Sequence, residues 1–204
     1  VREIKERCGE EFPIIYRLDL TQALYESYGD QVFKKMFKGQ ERTIEEGLEF
    51  CQVLAEAGVD AFDVDKGCYD NWFYPHPPAY FDDIPYVEQT AGRLKSFFQT
   101  KEIEAKVIAV GKLGKPDRAA EVLRQGWADF FMLGRPLLAD PYWAQKVREG
   151  RVREIIHCIG DQEGCIQSFV LGGHPCCTVN PYTGFEDSKK LSKANRVKNI
   201  AIIG

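Results

Sequence analysis

Short apolar runs alternate with helix-patterned segments along residues 1–150, and this alternation limits what the chain can become. The runs are PIIYRL at 13–18, AFDV at 61–64, VIAV at 107–110 and DFFML at 129–133. Their near-continuous apolar character fits strands of a parallel sheet, buried on both faces. Between them, Thr43 and Glu46 form a capping-box pair that opens a helix, in which each side chain can bond the other's backbone amide. Leu48, Cys51, Val53, Leu54 and Ala57 then follow at helical spacing, and Gly58 ends the segment. Further helices are expected over 87–98, 116–125 and 141–150, with Pro116 suited to a first helical position. Residues 1–7 read as the last turns of a helix, 20–40 as irregular with short helices, and 65–85 as a long aromatic loop. Strands alternating with helices make βα units and an α/β fold. A closed (β/α)8 barrel needs eight strands and typically about 250 residues. With four strands the chain is either a small open sheet or half a barrel.

Composition excludes several functions. The net charge of −4 and scattered Lys and Arg give no nucleic-acid footprint. No apolar run reaches the roughly 20 residues of a membrane span, and the first residues do not resemble a signal peptide. The chain starts within a helical pattern and ends on an apolar run, as expected of a stretch taken from a longer polypeptide. Of its seven cysteines, Cys8, Cys51 and Cys68 are dispersed packing candidates. Cys158, Cys165, Cys176 and Cys177 crowd together. That clustering, beside an ordinary enzyme core, fits a cytoplasmic protein with a metal or cluster site better than a disulfide framework.

Two glycine turns follow consecutive strands, Gly111-Lys112 and Gly134-Arg135. Each reads either as a tight turn or as a phosphate cradle, with glycine admitting the backbone amides and the cation adding a charge-assisted bond. Their pairing at successive strand ends favours phosphate, because barrels commonly bind it after their last two strands. The loop KGCYDNWFYPHPPAYF at 66–81 carries Tyr69, Trp72, Phe73, Tyr74, His76, Tyr80 and Phe81. It reads either as an aromatic ligand wall or as a proline-stiffened loop packed on itself. His76 is a candidate acid or base, or a structural histidine.

The segments GVDAFDV, VIAVGKL, AAEVLRQGWADFFMLGRPLLADPYWAQKV and CIG…CIQSFVLGGHPCCTVNP together resemble the old yellow enzyme family of NADH:flavin oxidoreductases, in its large 2,4-dienoyl-CoA reductase and trimethylamine dehydrogenase type. The resemblance implies half of a TIM (β/α)8 barrel, strands 5–8, over residues 1–150. A cysteine-rich, cluster-type segment and linker would occupy 151–195. Residues 196–204 would be the first strand of a nucleotide-binding domain, with any NADH or FAD site lying only in downstream domains. The implied parent reaction is hydride transfer through FMN, in enoyl reduction or amine oxidation. The half-barrel alone is expected to be inactive. A rival reading is a non-catalytic binding or interaction module that keeps only the phosphate site.

By the same resemblance Arg17 faces the flavin pyrimidine edge, where a cation stabilises the anionic reduced flavin. Its other reading is a strand-end arginine paired with a carboxylate such as Asp63. Gly111, Lys112, Gly134 and Arg135 match the phosphate turns. Lys112 stands where many relatives carry arginine; lysine keeps the charge but loses the planar fork. Trp72 and Phe169 match aromatic bowl residues and, with Tyr69 and His76, are candidates for the wall around a small-molecule substrate. The family's C-x2-C-x3-C-x11-C pattern binds a [4Fe-4S] cluster. Here Cys158, Cys165 and Cys177 match three positions, and Asp161 occupies the second. The segment then holds a cluster with an unusual ligand, a zinc ion, or free thiols, with Cys176, His157 and His174 as further donors. Half a barrel also exposes strand edges, so self-association is expected.

Overall fold

The computed structural model describes residues 1–71, 87–188, 192–201 and 203. The four apolar runs become β1 (Ile15–Asp19), β2 (Ala61–Asp65), β3 (Lys106–Val110) and β4 (Phe130–Met132). They form one parallel sheet in the order β1-β2-β3-β4. Register aligns Arg17 with Asp63 and Asp63 with Ile108, and further along the sheet Ile108 with Phe130. Strand side chains alternate between faces, so this row lies on one face and the row Tyr16, Phe62, Val107 on the other. The second face carries the core. Phe62, Val64, Val107 and Ala109 are fully buried there in one cluster with Leu48, Leu94, Phe98, Ala119 and Val122. The first face is polar around Arg17, Asp63 and Asp65, which is why the runs are not wholly apolar.

The helices follow their local signals. α1 spans Arg2–Cys8. α2, Leu24–Phe37, is two helical pieces joined at Gly29, which has φ 73 and ψ 168. The short helices expected over 20–40 are therefore these two pieces. α3, Ile44–Glu56, opens on the expected capping box, with both Thr43 and Glu46 bonds formed. A π-helical turn at Glu88–Gly92 leads into α4 (Arg93–Thr100). α5 (Pro116–Arg124) starts with its proline in the first turn.

Beyond β4 the chain departs from expectation. α6 (Arg135–Ala139) begins directly at the second glycine turn, and the helix expected over 141–150 is the shorter α7, Trp143–Arg148. Pro136 in the first turn of α6 was its available signal. The cysteine segment holds a 3-10 turn (Val152–Glu154), a π-helical turn (Glu163–Gln167) and α8 (Ser168–Val170). The described residues of the run expected as a final strand, 196–201 and 203, are irregular, with Val197 and Ile200 exposed. A strand needs a partner, and none pairs with this run among the described residues. Gly204 lies outside them. Among the described residues no helix is long and apolar enough to cross a membrane.

Candidate functional site

The C-terminal ends of the strands open into a cleft of about 250 Å³. Arg17, Asp65, the turns at Gly111-Lys112 and Gly134-Arg135, Met132 and Ile166 line it. The structure thus brings Arg17, Gly111, Lys112, Gly134 and Arg135 to one place, although they come from three separate stretches of chain.

The first turn has two successive residues in left-handed backbone, Gly111 at φ 109 and Lys112 at φ 54. Glycine reaches its value without a Cβ clash, whereas a left-handed lysine costs roughly 1–2 kcal/mol. Strain of this kind concentrates where a ligand is clamped. The two turns touch. A Cβ on Gly114 would lie 2.8 Å from Pro136 Cγ, so only glycine allows this approach. Trp143 Nε1 then donates to Gly114 O at 2.8 Å, tying α7 to the loop. Arg135 Nη1 is buried with no hydrogen-bond partner among the described residues. A buried guanidinium nitrogen left unpaired is costly, and Arg135 lines this cleft, so an anion held beside it would satisfy the nitrogen.

Within the same lining, Arg17 Nη2 pairs with Asp65 Oδ2 at 2.6 Å, and Nη1 pairs with Asp63 Oδ2 at 3.3 Å. The ion pair weighed from the sequence is therefore present, and Asp65 is its closer member. Burial pushes the Asp63 carboxyl above its ordinary range; Arg17 opposes this and Asp65 adds to it. Asp63 Oδ1 is buried without a hydrogen-bond partner among the described residues.

A small second pocket lies beside the first, and Arg135 lines both. Cys158, Asp161, Cys165 and Cys177 line it together. Burial pushes the Cys158 thiol up, opposed by the Gly160 backbone and the Arg135 charge, and reinforced by the neighbouring thiols of Cys165 and Cys177. Among the described residues no three His, Cys, Asp or Glu side chains converge closely enough to hold a metal ion. This geometry gives the zinc alternative no support. Cys176 does not line the pocket; its amide donates to Gly164 O at 2.8 Å. His174 Nε2 lies 2.7 Å from Gly184 O and its ring packs edge-on to Phe185, a structural arrangement.

The aromatic candidates are not gathered here. Tyr69 is 95% exposed and Phe169 69% exposed, and neither lines the cleft. Trp72 and His76, with Phe73, Tyr74, Tyr80 and Phe81, lie outside the described residues. Three lining residues were missed from sequence. Asp65 and Met132 sit on the sheet face exposed by register, a position that period-2 alternation could have given. Ile166 arrives from a distant segment with no local signal.

Residues 1–154 match the family described as NADH:flavin oxidoreductase / NADH oxidase. The chain is 32% identical to the cinnamate reductase of Clostridium sporogenes, covering 100% of this chain and 30% of that protein. It is also 32% identical to the NADH oxidase of Thermoanaerobacter brockii, covering 100% of this chain and 29% of that protein. Among solved structures, 2-naphthoyl-CoA reductase superposes with a TM-score of 0.74 at 24% identity, over 92% of this chain and 26% of the other. Histamine dehydrogenase from Rhizobium sp. 4-9 superposes with a TM-score of 0.68 at 28% identity, over 90% and 23%. The chain spans about three tenths of the length of the curated relatives it matches.

Proposed function

The chain belongs to the NADH:flavin oxidoreductase / NADH oxidase family, and from that premise we propose that it supplies the FMN phosphate site and part of the substrate wall of an FMN-dependent oxidoreductase. Its four strands are read as barrel strands 5–8. Support for this placement comes from the glycine turns after β3 and β4, where barrels keep their phosphate site. The observation that carries the flavin reading is the single cleft lined by Arg17, both glycine turns and a buried, unpartnered Arg135 nitrogen.

When bound, FMN would supply hydride transfer, to an activated alkene or from an amine. The chain's own residues bind and orient it. Arg135 and the amides of the Gly111 turn hold the phosphate, Lys112 adds charge at that end, and Arg17 faces the pyrimidine edge. Met132 and Ile166 give the cleft apolar surface and exclude water there. The relatives named as a reductase, an oxidase and a dehydrogenase are all oxidoreductases by name, and the two candidate reactions correspond to the reductase and dehydrogenase names.

The cysteine pocket is read as the relic or remnant of a cluster site. Cys158, Cys165 and Cys177 match by spacing three of the four thiolate positions of a [4Fe-4S] pattern and line one pocket. The exposed Asp161 supplies a hard oxygen where the fourth thiolate would stand, a poor match for cluster iron.

Titration calorimetry with FMN, and with inorganic phosphate as the simpler probe, tests the reading. Arg135→Ala removes charge-assisted bonds worth about 1.5–3 kcal/mol, so affinity should fall about 10- to 100-fold. Unchanged affinity would sink it.

A further inference from the structure

A cation facing the flavin pyrimidine edge favours the reduced cofactor, because two-electron reduction of FMN with uptake of one proton leaves a negative charge at that edge. In this chain that cation does not stand alone. Arg17 is half-exposed, and a side chain this long would otherwise sample many rotamers. Asp65 fixes it with a 2.6 Å contact from Oδ2 to Nη2. The Asp65 carboxylate is itself held by backbone, since Oδ1 accepts the Lys66 amide at 2.9 Å. Asp63 also reaches Arg17 but at 3.3 Å, and burial biases its carboxyl toward the neutral form. Asp19, the remaining carboxylate at these strand ends, is taken by Arg42 at 2.8 Å. Asp65 also lines the cleft, whereas Asp63 does not.

We propose that Asp65 is a positioning residue that holds Arg17 at the cleft mouth and offsets its charge, thereby setting how strongly the site favours reduced over oxidised FMN. The inference rests on the flavin reading above. It assigns to this member a more negative flavin potential than an uncompensated arginine would give.

The test uses the whole chain reconstituted with FMN, with the reduction potential measured by equilibration against a reference dye. Asp65→Asn removes one negative charge while its side-chain carbonyl still accepts from Arg17 Nη2, with Asp63 at 3.3 Å as the second partner. The preference for reduced FMN should rise about tenfold, a shift of about 30 mV upward for a two-electron couple. Asp65→Glu keeps the charge and should stay near the wild-type value. A merely structural role would weaken both redox forms alike and leave the potential unmoved. An unchanged or lowered potential in FMN-loaded Asp65→Asn overturns the inference while leaving the flavin reading intact. Should Asp65→Asn fail to fold by circular dichroism, Asp65→Ser is read by the same criteria. A wild-type chain that takes up no FMN overturns the flavin reading, and the inference with it.

Discussion

Asp161 shows how one residue can decide what a site holds. It lines the pocket of Cys158, Cys165 and Cys177 from an exposed position, so water competes with it for iron. A cube presents four irons to the protein, and here three would meet sulfur. Aerobically purified chain should therefore carry little or no iron. Asp161→Cys should raise iron and sulfide retained after anaerobic reconstitution several-fold, as cysteine restores the usual ligand set. Near-stoichiometric iron in the aerobic wild type, or no gain from the cysteine, would show that Asp161 is not the weak point. Asp161 was singled out through the resemblance, whose pattern carries cysteine at that position, and the structure places it in one pocket with the three cysteines. Asp65 was not, because a carboxylate ending an apolar run looks like the point where a strand meets water. Alternation gives its face and register sets it opposite Asp19, so only the side-chain contact of its carboxylate with Arg17 Nη2 shows its use.

At the scale of elements, the cleft depends on how α6, α7 and the cysteine segment are fastened. Asp140, between the two helices, is buried and accepts from Lys146 Nζ at 2.6 Å, Ile156 N at 2.9 Å and Tyr142 N at 3.1 Å. Asn180 and Thr183 both donate to Leu138 O, docking the far end of the cysteine segment on α6. Burial alone would push the Asp140 carboxyl up; the Lys146 ammonium and the two amides outweigh it and hold it below its ordinary value of 3.8. A depressed folded value means the carboxylate stabilises the fold fully above pH 3.8 and loses that contribution as pH falls through the depressed value. Asp140→Asn leaves Lys146 without its counter-charge and should destabilise by about 2–4 kcal/mol. Thermal melts at neutral pH should show the full loss, with the difference from wild type narrowing in acid. A constant difference down to the lowest pH at which both fold would count against the ionic account. The strands and the helices α3, α4 and α5 were legible because period, cap and proline agree locally. α6 was not read as a helix, because five residues are too few for a period to show and Pro136 in its first turn was the one local signal.

For the whole molecule, the sheet is finished at its centre and unfinished at its rims. β2 buries Phe62 and Val64 completely, whereas Ile15 on β1 is 64% exposed and Phe130 on β4 57% exposed. β1 and β4 each pair on one side only within the sheet. By register, Ile15 and Phe130 stand on the same face as Arg17 and Asp63, opposite the helices, so that face carries apolar side chains at both rims. An unpaired edge beside exposed apolar surface is a template for another strand. We propose that the chain self-associates through these edges. Light scattering at rising concentration should give a mass above the 23.3 kDa of one chain. Ile15→Lys combined with Phe130→Lys should shift the distribution back toward single chains, since charge on an edge opposes pairing. The core that folds the chain lies on the opposite face, so the double variant should keep its helical circular dichroism. A wild-type chain that remains at 23.3 kDa across the range would contradict the proposal. Association unaffected by the two lysines would place the contact elsewhere, with the exposed Phe169 and Val170 of α8 and the following Leu171 as the next surface to charge.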